Sequence, residues 1–184
     1  MNVFNKFLLI LIVFSIFIYG CQKQVLEDDG TVKTGDTVMV DYAGGYDNGT
    51  LFDTSILEAA EKAGIFNPDR VYEPIQFVVG QGQVIQGLDE ALLGMADGDA
   101  KTVAIPPQNA YGLYDENQVV QIPLEEFGNE IGDESVGQRL ILDTPRGRSL
   151  VLVRDLNEDI ITLDFNHPLA GERLTFAIIL RGVQ

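Results

Sequence analysis

Apolar and polar residues alternate along several short stretches of the chain, and each stretch predicts a strand. "TVMVDY" places Val38, Val40 and Tyr42 on one face. "PIQFVVG" predicts a second strand, and "AKTVAIP" a third with Val103 and Ile105 sharing a face. "ERLTFAIILRGV" closes the chain with Leu174, Phe176, Ile178 and Leu180 on one side. Asn48-Gly49 lies between extended pieces, and such a pair accepts positive φ at both central positions of a hairpin turn. Asn48-Gly49-Thr50 also fits a glycosylation acceptor, which ranks second because the turn needs nothing further. Two stretches follow a helical period instead. Ser55 and Glu58 have capping-box spacing ahead of Ile56, Ala59, Ala60 and Ala63, and Gly64 is a stop signal. Leu88, Ala91, Leu92 and Met95 line one face of a second short helix.

Residues 118–163 carry their own pattern. "VVQIPLEEF" is followed by the strand-like runs "QRLILDT", "SLVLVRDL" and "DIITLDF", separated by turns at "PRG" and "NED". So much strand material exceeds any loop expected in a compact domain. The expectation is a small all-β domain inserted into a discontinuous host of residues 36–117 plus 164–184. Helices among antiparallel strands make the fold class α+β.

The first 21 residues differ from the rest. One cation, Lys6, precedes a predominantly apolar run from Phe7 to Tyr19, and Gly20-Cys21 follows. This is the layout of a targeting signal, and the run is short for a span of roughly 20 residues. Cys21, the sole cysteine, falls where a lipoprotein signal places its lipid-accepting residue; an uncleaved anchor helix is the competing reading. Both expect a protein tethered outside the cytoplasmic membrane. Residues 22–35 are polar and unpatterned, a spacer to the domain.

Charge narrows the function. The 12 Lys and Arg face 28 Asp and Glu, a net charge of −16, which argues against nucleic acid, whose affinity comes from neutralising phosphates. One histidine and one cysteine leave little material for a Ser-His-Asp or Cys-His nucleophile, and His167 has no neighbouring nitrogen or sulfur to share a zinc ion. The acidic clusters lack calcium-loop spacing, and "GQGQVIQG" and "YAGG" lack the Lys-Ser/Thr of a phosphate cradle. No cofactor and no metal are expected.

Four motifs, in order, carry a stronger signal: "VDYAGGYDNGTLFDTS", "IQFVVGQGQVIQGLDEAL", "IPPQNAYG" and "LTFAIIL". Together they resemble the FKBP-type peptidyl-prolyl isomerases. The β segment after "AYGLYDENQ", closed by "DFNHPLAGERLTF", resembles the SlyD branch, in which an insert-in-flap chaperone domain replaces the flap loop. The resemblance implies an antiparallel sheet wrapped on a short helix and a proline pocket. Its expected catalytic positions are Tyr42, Phe52, Asp53, Ile85 and Tyr111. Its expected substrate-binding positions are Ile75, Phe77, Val84, Leu88, Leu169 and Phe176, with Leu88 at a floor position often held by Trp. Asp53 also suits a helix N-cap. The stretch between Asp53 and Pro74 is longer than in the simplest members and resembles that of archaeal-type ones. His167 is read as a seam and rim residue, not an essential base. The tail "LRGVQ" lacks the His and Cys clusters of metal-binding SlyD proteins.

The expected partners are unfolded or proline-containing polypeptides, FK506-like macrolides and, through the N-terminus, a membrane; the chain is expected to be a monomer. Isomerisation is the leading activity. The alternative is a non-enzymatic holdase that binds unfolded segments through the insert.

Overall fold

A computed structural model describes residues 29–127, 135–144 and 147–184. The expected strands and helices are present as an α+β fold with two antiparallel sheets. In the first sheet β1 (Thr37–Tyr46) runs beside β9 (Leu174–Val183), and β4 (Ala100–Ile105) covers the far side of β9. The other edge of β1 is shared. β3 (Ile75–Val78) pairs with its first half, Thr37 to Val40, and β2 (Leu51–Thr54) with its second, Ala43 to Gly45.

Between these two partners the backbone of Asp41 and Tyr42 would lack a strand neighbour. The turn after β2 fills the gap. The Tyr42 N–H donates to the Ser55 hydroxyl at 2.9 Å, and the Tyr42 carbonyl accepts from the Thr54 hydroxyl at 2.7 Å and the Ser55 N–H at 3.0 Å. The Ser55 hydroxyl itself donates to buried Asp41, whose other oxygen accepts from Arg181 at 2.7 Å. Ser55 is therefore not the helix cap that its spacing with Glu58 suggested. α1 (Leu57–Ala63) starts after Ile56, with no side-chain cap, and Thr54 accepts the Ile56 N–H instead. A buried strand that needed partners took the serine. The helix ends at Gly64 as expected, although only Ala60 of its predicted face is buried.

The β1–β2 turn also differs from the expected pattern. Gly49 alone has positive φ, 84°, and no non-glycine residue among those described does. The Gly49 N–H bonds to the Tyr46 carbonyl and the Tyr46 N–H to the Thr50 carbonyl, so an ordinary turn is followed by one left-handed residue. Asn48 contributes its side chain, which accepts the Thr50 N–H at 2.9 Å.

α2 (Gln86–Leu92) packs against one face of the first sheet. Leu88, Ala91, Leu92 and Met95 are all buried, with Val38, Val40, Leu174, Ile178 and Leu180 from the sheet. Val32, in the stretch expected to be a spacer, is 2 % exposed and exchanges backbone bonds with the Gly94–Met95 turn. The packed region thus begins ahead of Asp36.

The second sheet has the order β5 (Val119–Pro123), β8 (Ile160–Asp164), β7 (Gly147–Leu156) and β6 (Arg139–Thr144). Its own core is small: Val151, Val153, Ile161 and Leu163 are buried, and Ile122, Leu140, Leu142 and Phe165 pack against them. The chain leaves and returns side by side. The Asn166 amide exchanges two bonds with the Asp115 backbone at 2.9 and 3.0 Å, and the Tyr114 hydroxyl donates to Asp164 at 2.7 Å while accepting from Arg154 at 2.8 Å.

No helix among the described residues is long and apolar enough to cross a membrane. The expectations for the first 21 residues and for Cys21 lie outside the described residues, as does the "PRG" turn at Pro145 and Arg146.

Candidate active site

The register of β1 against β9 builds one wall. Gly44 stands opposite Phe176, and Tyr42 opposite Ile178. Phe176 points inward, 4 % exposed, with the Phe52 ring edge-on at 5.9 Å and Tyr42 tilted at 6.3 Å. Tyr46 backs Phe52 edge-on at 5.3 Å. The approach of these rings explains Gly44: an added Cβ would lie 2.8 Å from Phe176 and 3.0 Å from Phe52. Leu88 of α2, Leu169 and Phe77 belong to the same buried cluster, and Ile75, Val84 and Ile85 pack at its edge. Ten of the eleven pocket positions expected from sequence converge here or border it. Ile85 immediately precedes α2 in extended conformation, and no described residue accepts its N–H. An amide at a helix start has no intrahelical acceptor and is free for a ligand carbonyl.

Tyr111 is the exception. It stands outside the buried cluster, 37 % exposed, with its ring stacked flat on His167 at 3.9 Å and 1°. Burial and then the charge of Asp53 raise its pKa. The imidazole is held in turn by its Nδ1, which accepts the Leu169 N–H at 3.1 Å. An Nδ1 that accepts is unprotonated, so the ring is neutral in this state. Burial and then the nearby Arg139 charge lower the His167 pKa, in agreement with that geometry.

The polar edge contains a residue that the sequence reading missed. Tyr42 donates to Asp53 Oδ2 at 2.7 Å; the Arg70 guanidinium donates to Asp53 Oδ1 and, at 2.9 Å, to the Tyr42 hydroxyl. Burial, followed by the bond to Asp53, raises the Tyr42 pKa to about 12, with Arg70 opposing. Its proton is committed to Asp53, and both Asp53 oxygens are engaged. Asp53 is accordingly neither a helix cap nor a free base. Of the two tyrosines expected to reach a substrate amide, Tyr111 is the one with an uncommitted hydroxyl among the described residues. Arg70 left one trace in the sequence: it is the only Lys or Arg between Lys62 and Lys101 in an acidic chain.

A second concavity lies on the other sheet. It has a volume of about 1000 Å³, with Val120, Ile122, Phe127, Leu142 and Phe165 along it and Asp115, Glu126 and Asp143 among its polar residues.

Comparison with known proteins agrees with this geometry. Residues 28–127 match the family of FKBP-type peptidyl-prolyl cis-trans isomerases. The "Short-type peptidyl-prolyl cis-trans isomerase" of Methanocaldococcus jannaschii is 46 % identical over 153 residues, 83 % of this chain and 94 % of that protein. The SlyD isomerases of Pasteurella multocida and Escherichia coli K12 are each 36 % identical over 108 residues, 59 % of this chain. The match takes in 54 % and 55 % of those two proteins, about half of each. A family match over most of the folded first sheet and a relative aligned almost end to end converge on one assignment: the chain belongs to the FKBP-type peptidyl-prolyl cis-trans isomerases.

Proposed function

We propose that the pocket formed by Tyr42, Phe52, Phe176 and Leu88 holds an X-Pro segment and stabilises its twisted amide without proton transfer or a covalent intermediate. The amide resists rotation by about 18–20 kcal/mol because of C–N double-bond character. Catalysis needs only tighter binding of the twisted form than of either planar one. A twisted amide has lost resonance and carries a less polar carbonyl, so dry aromatic walls favour it. The observation that carries this reading is the commitment of Asp53: with both oxygens bonded to Tyr42 and Arg70, no free acid–base pair remains among the described residues of an otherwise apolar pocket. The Ile85 N–H and the Tyr111 hydroxyl are the donors left for substrate carbonyls.

In the same proposal residues 118–163 are an inserted client-binding domain of the SlyD kind, and the host is residues 36–117 plus 164–184. The concavity on the second sheet, where Val120, Ile122, Phe127, Leu142 and Phe165 lie beside acidic and hydroxyl side chains, supports it. An extended chain held there raises its own concentration at the proline pocket. The N-terminus tethers the protein outside the cytoplasmic membrane through lipidated Cys21, so its clients are extracytoplasmic. Mass spectrometry of the membrane-bound protein tests this part: retention of residues 1–20 would assign the tether to the apolar run instead.

A protease-free isomerisation assay on an X-Pro tetrapeptide, with and without FK506, tests the central claim. Catalysis that FK506 abolishes and Phe52→Ala strongly reduces is the expected result. The same concavity also favours a second reading, a holdase that binds unfolded chains without isomerising them. An inert wild type on the tetrapeptide that still suppresses aggregation of an unfolded protein would favour that reading.

A further inference from the structure

Between α1 and β3 the chain has no regular structure, yet its own side chains fasten it. Phe66 and Tyr72 stack with ring centres 5.9 Å apart and planes 22° apart. The Tyr72 hydroxyl accepts the Asn67 N–H at 2.9 Å, the Asn67 side chain accepts the Asp69 N–H at 2.9 Å, and the Asn67 carbonyl accepts the Arg70 N–H at 3.2 Å. The Arg70 guanidinium lies 5.4 Å from the centre of the Tyr72 ring, on its way to Asp53 and Tyr42. We infer that Tyr72, backed by Phe66, is a positioning residue for isomerisation: its ring is the platform that holds Arg70 on the Asp53–Tyr42 pair.

The physical need for a platform follows from exposure. The Arg70 and Asp53 side chains are 37 % and 36 % exposed, and an ion pair so open to water scarcely offsets the freedom that a long arginine loses when fixed. An aromatic face supplies a flat surface on which a weakly hydrated guanidinium rests at little cost. Arg70 is thereby preset before substrate arrives. Without the ring Arg70 turns to solvent, Asp53 Oδ1 loses its partner, and a mobile carboxylate faces the incoming amide carbonyl. Phe66 is itself 47 % exposed, which core packing alone does not call for; its stacking partner gives it a task.

The inference rests on the pocket reading above, and four variants separate the two. Each is assayed on the X-Pro tetrapeptide with kcat and KM resolved. Tyr72→Leu keeps apolar bulk but removes the flat face, and kcat is expected to fall about two- to fivefold, the scale of one partly exposed cation–π contact, with KM little changed. Tyr72→Phe keeps the face and is expected to restore most of the rate. In the Arg70→Ala background, Tyr72→Leu is expected to add nothing. Losses that multiply in the double variant, or equal damage from Tyr72→Phe and Tyr72→Leu, would mean that Tyr72 acts only through loop stability, and the inference fails alone. Wild-type activity in Arg70→Ala would overturn it together with the proposed role of the Tyr42–Asp53–Arg70 edge. Because the decisive comparison is made within the Arg70→Ala background, partial unfolding of the single variant cannot mimic the expected result.

Discussion

The two sheets use apolar residues in opposite ways. The first buries aromatic and aliphatic side chains together, and Tyr42, Phe77 and Phe176 are each under 10 % exposed. Among the described residues the second buries the apolar side chains Val151, Val153, Ile161 and Leu163, while Ile141 is 60 % and Leu150 49 % exposed. The reason is size. Among the described residues this four-stranded sheet is packed by one 3-10 turn, Leu124–Phe127, and has little chain to cover itself, whereas α2 closes one face of the first sheet. A closed apolar face can be shaped to fractions of an ångström around one amide. An open one accepts many chains loosely. Rigidity and openness are thus divided between two parts of one chain, and each can be broken separately.

The largest effect should come from the rigid part. Gly44→Ala puts a methyl where the Phe176 and Phe52 rings stand, 2.8 and 3.0 Å away, so one ring must move. A misplacement near 1 Å in a preorganised site costs on the order of 10²-fold in rate. The tetrapeptide kcat/KM is expected to fall by about that factor while the second sheet keeps its fold, as judged by amide exchange at Val153 and Leu163. Unchanged kinetics would mean that the wall is more pliant than its packing implies.

The open part should matter only for long substrates. Replacing residues 118–163 by a short turn is expected to leave tetrapeptide turnover within about twofold and to slow catalysed refolding of a proline-limited protein by roughly ten- to a hundredfold, the scale of lost effective concentration. The acidic residues of its concavity, Asp115, Glu126 and Asp143, add a signature: rising salt should weaken capture of cationic clients more than of neutral ones. Equal refolding rates with and without the segment would place client binding elsewhere.

Much of this division was legible in the sequence, because period-two alternation and period-3.6 spacing depend on which face is buried. Val38, Val40 and Tyr42, the four inward residues of β9 and the apolar face of α2 were all read correctly. The positions that the fold gathers around Phe176 were legible through ordered motifs, not through any one side chain, since each alone looks like core. What could not be read was competition for polar partners. Ser55 and Glu58 have capping spacing, but the fork between β2 and β3 left the Tyr42 backbone in need, and a buried amide outranks a helix end in water. Arg70 escaped for a related reason: it lies 17 positions from Asp53 in a stretch with no period, and only folding brings the two together.

Tyr111→Phe sharpens the comparison at the rim where the two parts meet. The ring and its stack on His167 remain, and only the uncommitted hydroxyl is lost. A hydrogen bond made to a carbonyl during rotation suggests a loss of about fivefold to tenfold in kcat/KM. The same change on Tyr42 removes a bond already spent on Asp53, so its effect should act through the position of Asp53 and be partly recovered by Asp53→Asn. A harmless Tyr111→Phe would leave the Ile85 N–H as the donor to test next among the described residues.

The smallest effect belongs to His167, and it depends on pH. In the folded protein its pKa lies below the ordinary value of about 6.5, because burial and Arg139 disfavour the cation. The unfolded chain therefore binds a proton that the folded chain refuses. Stability is unaffected well above pH 6.5, declines as pH drops through that value, and stops declining once the folded pKa is passed. Protonation at Nδ1 also ejects the Leu169 N–H and frees the ring from Tyr111. At pH 7.5, His167→Ala is expected to lower tetrapeptide kcat/KM only about twofold, since Tyr111 loses one stacking face and no proton is transferred. Below pH 6 the wild type should decline toward the variant, whose profile stays flat. A folded His167→Ala protein with no activity at pH 7.5 would refute catalysis by the wall, for it would give the imidazole a chemical role that the committed Asp53 and the neutral pocket deny it.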